Sequence, residues 1–492
     1  MKEIFVHLLL FTIIISSNNF SQSENGWSKP IPISVVGERS FYPAMAVGKE
    51  GKIFVVWENH NQSDNEDKAQ IYLAEYDGSN WLEPEVLTDK GNMNWTPDIA
   101  VDTSGNPHIV WGEWLSSEIY YKYYDGQKWS ESKNVSEDSG ESYYPRIAID
   151  LHNKVHVVWH DNTRGGDPSV YYRYNDDSQW SEKFIVSDTL EYSIFPRIAI
   201  DSKDNIHITW FSREPPDDNR DVFYRKLNGN NWSKIDRLTD DTLYSIYPVI
   251  VLTKTDLPII IWRQDLDYLA HPYVAKIYWS TNNGSTWSQP EAMEKLSQAD
   301  RPSVGIDKYE NIHATWQLST WVGVTIYDSI MYSYFNGSVW STPINITGST
   351  CNKNSTSPVI KTDINGNLHV IWLSFGDEWP YAPVVYYTHH GSIVGIQENQ
   401  FPKIPTNLSI LQNYPNPFNS NTIIKYSIPN ASFVTITVFD ALGRKIKMLV
   451  NSEQKSGFHS ISFDGSDIST GCYFYQLRAN GNIITKKMLL IR

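Results

Sequence analysis

YPRIAIDLHNKVHVVWH, residues 144–160, is the stretch whose reading decides the fold, and FPRIAIDSKDNIHITWF, residues 195–211, repeats it. Each holds an apolar run, a polar turn and an alternating run that ends in tryptophan, which makes two strands and a tight connection. The spacing from proline to tryptophan is the same in Pro43/Trp57, Pro97/Trp111, Pro145/Trp159, Pro196/Trp210, Pro248/Trp262, Pro302/Trp316 and Pro358/Trp372. Successive prolines stand 54, 48, 51, 52, 54 and 56 residues apart, the period of a repeat architecture.

A Tyr-rich strand such as VYYRY (170–174), a turn such as YDGSNW and a fourth strand opened by Trp complete each unit, so the repeat reads as a four-stranded propeller blade. The fourth-strand tryptophans are Trp81, Trp129, Trp180, Trp232, Trp287 and Trp340, one short of seven. Trp27 supplies the missing one: it precedes Pro43 by the 16 residues that separate Trp81 from Pro97. The expectation is an all-β chain with a seven-bladed β-propeller over 24–390. Its last blade, ending VVYYTHH (384–390), takes its outer strand from GWSKPIPIS near the N-terminus, which leaves no sheet edge open. The 30 Tyr and 19 Trp suit wide half-buried β surfaces, and no helical period is evident beyond the first twenty residues.

Residues 1–23 carry a lysine, an apolar run from Ile4 to Ile15 and small residues at Ser21 and Ser23, the pattern of a cleaved secretory signal and too short for a membrane span. Cys351 and Cys472 fall in different domains, so no disulfide framework is expected. The net charge of −15 with no basic run argues against nucleic acid and anionic membranes as partners. No cofactor, metal or transmembrane segment is expected, and the protein is expected to be a monomer.

Composition shifts after His390. GSIVGIQENQFPKIPTNLSI, residues 391–410, reads as a linker, and LQNYPNPFNSNTIIKYSIPN (411–430), VTITVFDALGRKIKMLV (434–450), SGFHSISFDGSDISTGCYFYQLRANG (456–481) and TKKMLLIR (485–492) follow. Alternating Val434, Ile436 and Val438 mark a half-buried strand, and Ala441–Arg444 a turn, in a small antiparallel sandwich. Segments of this kind, in this order over 411–492, resemble the C-terminal sorting domain of the type IX (Por) secretion system. The resemblance implies an immunoglobulin-like β-sandwich, the secretion machinery as partner, and a secreted or outer-surface location reached by Sec export followed by type IX translocation.

Ser280–Trp287 (STNNGSTW) resembles the Asp-box of sialidase-type, BNR-repeat propellers, with Asn282 in place of the aspartate. In that family the box is a hairpin turn remote from the active site, so it bears on fold. The sialidase Arg-Ile-Pro signature is absent. His108, His156, His207, His313 and His369 each stand three before a Trp; that regularity marks structural histidines, hydrogen-bonded inside the blades. Asp363-Ile364-Asn365-Gly366-Asn367 is read as a turn, because no glutamate follows at the twelfth position of an EF-hand.

Intervals between second- and fourth-strand tryptophans vary from 18 to 25 residues, so the variable loops join strands two and three. Loops of variable length on a rigid scaffold are where binding residues gather. On that face, or near the channel just after the prolines, stand Asp98, Glu113, Trp114, Arg146, His160, Asp161, Arg197, Arg213, Arg263, Asp265 and Trp321, the candidate ligand-binding set. Aromatics precede the prolines at Tyr42, Tyr144, Phe195 and Tyr247. Aromatic faces mixed with charged groups suit sugar rings. The leading expectation is recognition of an extracellular glycan without catalysis. Alternatives are a polysaccharide lyase or sialidase-like glycosidase, with His160, Arg146, Arg197 and Tyr144 as catalytic candidates, or a cell-envelope scaffold for a protein ligand.

Overall fold

The computed structural model describes residues 26–391 and 408–491 except 35–37, 61–67, 79, 89–92, 138–139, 163–165, 177–178, 189–191, 215–218, 268–273, 294–297, 323–324, 338, 348–353, 376–381, 411–412, 414–415, 429–430 and 455–456. The expected signal segment, Cys351 and most of the linker therefore lie outside the described residues. The chain divides into two compact units, Met1–Ile393 and Val394–Arg492.

The first unit is a propeller of antiparallel sheets that follow one another in chain order. One runs Ser142–Ile149, Val155–Asp161, Ser169–Asp176 and then the short outer pieces Gln179–Trp180 and Phe184–Ile185. The second strand is buried along most of its length, and throughout in Val155–Asp161, because neighbouring sheets cover both of its faces. Trp57, Trp159, Trp210, Trp262, Trp316 and Trp372 sit there essentially free of solvent. All but Trp316, which faces Met331, stack on an aromatic across the hairpin, as Trp159 does on Tyr171 with centroids 5.9 Å apart. The innermost strands pack in cyclic order: Arg39–Val47 touches Asn94–Val101, and Asn354–Thr362 touches both Ala299–Ile306 and Arg39–Val47.

At the chain ends Ile31 and Pro32 pair with Tyr387 and Tyr386, and Trp27 bridges His390. Trp27 is buried with its edge against Tyr332 at 5.0 Å. The fourth strand differs from the expectation of one run opened by Trp. Trp81, Trp129, Trp287 and Trp340 close the hairpin as isolated bridges to the third strand, and pairing resumes four residues later, as at Glu85–Val86. Pro84, Pro290 and Pro343 fall in this gap and have no N–H to give a ladder, which confines them to such an outer edge.

The regular histidines are structural, as expected. His108, His156, His207, His313 and His369 are buried, and each ring Nδ1 shares a hydrogen bond with the hydroxyl of Tyr121, Tyr172, Tyr224, Tyr332 or Tyr387 at 2.7–2.9 Å. The opposite nitrogen faces the turn aspartate, as in His207–Asp201 at 3.2 Å. That aspartate caps its own turn: Asp363 Oδ1 accepts from the backbone N–H of Asn365 and Asn367, so this segment is a turn.

The second unit is a β-sandwich. Ser409–Ile410, Asn421–Ile428 and Gly457–Asp464 form one sheet; Lys445–Gln454, Ser432–Asp440, Gly471–Ala479 and Asn482–Leu490 form the other. Val434, Ile436 and Val438 face a core that includes Phe418, Tyr475 and Leu490. Among the described residues no helix is long and apolar enough to cross a membrane.

Candidate functional site at the channel mouth

Each innermost strand breaks register at its proline: Tyr143 and Arg146 pair with His160 and Val158, two residues opposite one. The residue just before the proline lies in the left-handed region in all seven cases: Tyr42, Thr96, Tyr144, Phe195, Tyr247, Arg301 and Ser357 have φ between 47° and 54°. Non-glycine residues adopt this conformation at a cost, and a bulge of this kind re-aims the side chain. Here all seven residues line a cavity of about 330 Å³. Four are aromatic and touch in sequence: Tyr42 to Tyr144 (6.2 Å), Tyr144 to Phe195 (4.4 Å) and Phe195 to Tyr247 (5.2 Å).

Deeper in the same cavity stand Asp98, Arg146, Arg197 and Lys361. Asp98 and the two arginines follow their prolines directly. Lys361 is three residues past Pro358, a position that holds Ala46, Ala100, Ala148, Ala199, Val251 or Gly305 in the other units. That single lysine in a file of small residues was the signal available in the sequence, and the candidate set missed it. Arg301, whose Nη1 reaches Ser357 Oγ at 2.6 Å, also stands outside that set.

The cations outnumber the anions. Arg301, Arg146, Arg197 and Lys361 line the cavity with one carboxylate, Asp98, whose Oδ2 accepts from the Ile147 N–H at 3.0 Å, and Arg301 Nε also lies 3.8 Å from Asp300 outside it. Among the described residues neither Arg146, Arg197 nor Lys361 has a carboxylate oxygen within 4.0 Å; the arginines reach only their prolines' carbonyls, at 2.7 and 3.2 Å. Their crowding shows in proton affinity. Burial first and Arg146 second push the Arg197 guanidinium down to about 9, against the pull of Asp98, so it stays charged at neutral pH. Burial, with Arg197 and Arg146, likewise lowers Lys361, which remains accessible to water inside the channel.

The other candidates are placed differently. Tyr144 lines the cavity, and burial together with the Tyr42 hydroxyl makes its phenol hold its proton more tightly than usual. His160 does not line it. The ring is buried, stacks on Tyr144 at 5.5 Å and 18°, and burial, then Arg146, push it down to about 3. Asp161 accepts from Ser142 and from Trp159 Nε1 at 3.3 Å. Arg263 joins Asp265 (2.6 Å) to Asp300 (3.0 Å), and Arg213 pairs with Asp167 at 3.1 Å over the Tyr192 ring. Glu113 is buried and accepts from Ser116 Oγ at 2.6 Å; Trp114 is exposed beside Trp95. The Trp321 backbone belongs to the strand Ile312–Val322, and its side chain lies outside the described residues.

Asp150, His152 and Asp204 offer ligand atoms within 4.8 Å of one another. These atoms are engaged in the turns: His152 Nδ1 lies 2.7 Å from Asp204, which also accepts from the Leu151 N–H, and Asp150 accepts from the His152 and Lys154 N–H groups.

Residues 412–491 match the family model of the secretion system C-terminal sorting domain (Por_Secre_tail). The protein is thus directed by the type IX route to the cell surface or the extracellular space. The chain is similar in fold to a polysaccharide lyase, an ulvan lyase bound to -[GlcA(1-4)Rha3S]-, at 13% identity and a TM-score of 0.51, covering 72% of this chain and 94% of the other. The polysaccharide lyase Uly1 aligns at 10% identity and a TM-score of 0.48 over 71% and 89% of the two chains. An α-L-arabinofuranosidase from Fusarium graminearum aligns at 9% and 0.45 over 74% and 98%. At these identities the likeness is one of propeller fold. None of the curated proteins matches the sequence.

Proposed function

We propose that this exported protein binds an acidic extracellular glycan at the channel mouth of its propeller, seven-bladed over 24–390 and closed by the N-terminal strand, with the sorting domain at 411–492 serving delivery. One observation carries the reading: Arg146, Arg197 and Lys361, with no carboxylate in ion-pair contact among the described residues, gather under an aromatic rim in a chain whose net charge is −15. A basic site in an acidic protein is not a consequence of overall composition, and it costs repulsion that an anionic ligand relieves. Tyr42, Tyr144, Phe195 and Tyr247 offer apolar faces to a sugar ring, while the cations meet its carboxylate or sulfate.

Cleavage is the second reading, and one observation favours it. A lysine whose hold on its proton is weakened by burial and neighbouring cations can accept a proton beside a sugar carboxylate, and Lys361 is placed so. Tyr144 keeps its proton at neutral pH and His160 stands behind it, which suits neither as that base. The structural neighbours' names include lyases, which is in keeping with this reading.

The test is incubation of residues 24–395 with acidic algal and bacterial polysaccharides, scoring retention and new reducing or unsaturated ends. Retention without new ends is the expected result. New ends that vanish in Lys361→Met establish cleavage, and neither retention nor new ends contradicts a glycan ligand.

A further inference from the structure

The aromatic rim continues outward along one blade to an exposed ring. Trp95, next to the left-handed Thr96, meets Tyr144 at 6.2 Å, Tyr143 edge-on at 5.2 Å and Trp114 edge-on at 5.2 Å. Trp114 lies 50% exposed at the outer end. A run of rings thus leads from the cavity across one blade to solvent, with each step about the width of one sugar ring.

One feature marks this run as specific to that blade. Gly112 follows the second-strand tryptophan, where the other units carry Glu58, His160, Phe211, Arg263, Gln317 or Leu373. A Cβ on Gly112 would lie 2.7 Å from Trp95 Nε1, so the bare glycine makes the bed for the Trp95 ring.

We infer that Tyr144, Trp95 and Trp114 form a track of sugar subsites, and that the ligand is an acidic oligosaccharide of several residues, held with an anionic unit in the channel and its chain laid outward over the track. The inference rests on the acidic-glycan reading of the channel. It commits the site to chains over single sugars, and to one direction of approach among seven. An aromatic file that starts at a cationic cavity suits a polymer that is charged at one bound unit and presents flat pyranose faces beyond it.

The experiment is calorimetric titration of the propeller with size-fractionated oligoglucuronates and oligogalacturonates, from disaccharide to hexasaccharide. Wild type is expected to gain about tenfold in affinity from disaccharide to hexasaccharide, and Trp114→Ala to lose that gain while binding the disaccharide as before. Gly112→Val, which must displace Trp95, is expected to flatten the length dependence in the same way. Equal affinity for all lengths in the wild type, or an unchanged hexasaccharide affinity in Trp114→Ala, would overturn the track and leave the channel reading standing. Failure of every length to bind would overturn both.

Discussion

His160 illustrates how one residue is read differently by type and by surroundings. As a histidine beside Arg146 and Tyr144 it is a catalytic candidate; in the fold it is a buried ring stacked on Tyr144, with an Nδ1 that lacks a partner among the described residues. The next unit fills the same position with Phe211, which stacks on Phe195 at 5.7 Å and 13°. The proton linkage has a definite sign. An unfolded histidine titrates near 6.5 and the folded one near 3, so between those values the unfolded chain holds the extra proton and stability falls as pH falls. His108 and His207, both lowered to about 4 by burial, act in the same sense. At pH 5 a histidine so held costs about 2 kcal/mol relative to pH 8. His160→Phe is therefore expected to shrink the loss of melting temperature between pH 8 and pH 5 and to keep glycan affinity within about twofold. An unchanged pH response would show that the ring titrates freely. The five regular histidines were legible in sequence because their spacing repeats, whereas Lys361 was visible only as an odd lysine in a file of small residues: it matters through the channel it shares with Arg146 and Arg197, which stand in other blades.

At the scale of elements, two devices hold the sheets together. The turns between first and second strands are laced from unit to unit by the residue in their left-handed position. Asn153 accepts from Thr103 N–H at 2.9 Å, Asp204 from Leu151 at 3.1 Å, Asp256 from Ser202 at 2.9 Å and Glu310 from Lys254 at 2.8 Å. Those residues have φ between 59° and 69°, a conformation that glycine, as at Gly105 and Gly366, adopts without strain; the cross-unit bond accounts for their presence. The second device is the pairing of Ile31–Pro32 with Tyr386–Tyr387, strengthened by Ser28, whose hydroxyl accepts from the His389 N–H at 2.9 Å and lies 3.0 Å from Thr388 Oγ1. Trp27→Ala removes a buried indole from this seam and is expected to cost about 3–5 kcal/mol in denaturant unfolding. A stability equal to wild type would contradict closure by the N-terminal strand. The pairing was legible because Trp27 keeps the spacing of its counterparts. The left-handed residue before each proline was not, since X-Pro favours extended backbone and only the bulge explains the exception.

For the whole molecule, the sequence separates delivery from recognition. The sorting domain is legible as a contiguous run of motifs, and its sandwich carries its own core of Phe418, Val434, Ile436 and Tyr475. The proposed binding site is assembled from residues of different repeats, Asp98, Arg146, Arg197 and Lys361, so their convergence needs the ring. The same ring concentrates positive charge at its axis in a protein of net charge −15. The most direct measurement of the central claim is the affinity of the propeller for oligoglucuronate and for a neutral oligosaccharide of equal length, in wild type and in Arg197→Gln/Lys361→Met. The account predicts that wild type prefers the acidic chain by about tenfold or more and that the double variant loses this preference while remaining folded. Equal affinity for the two chains in the wild type, or a preference untouched by removing both cations, would contradict it.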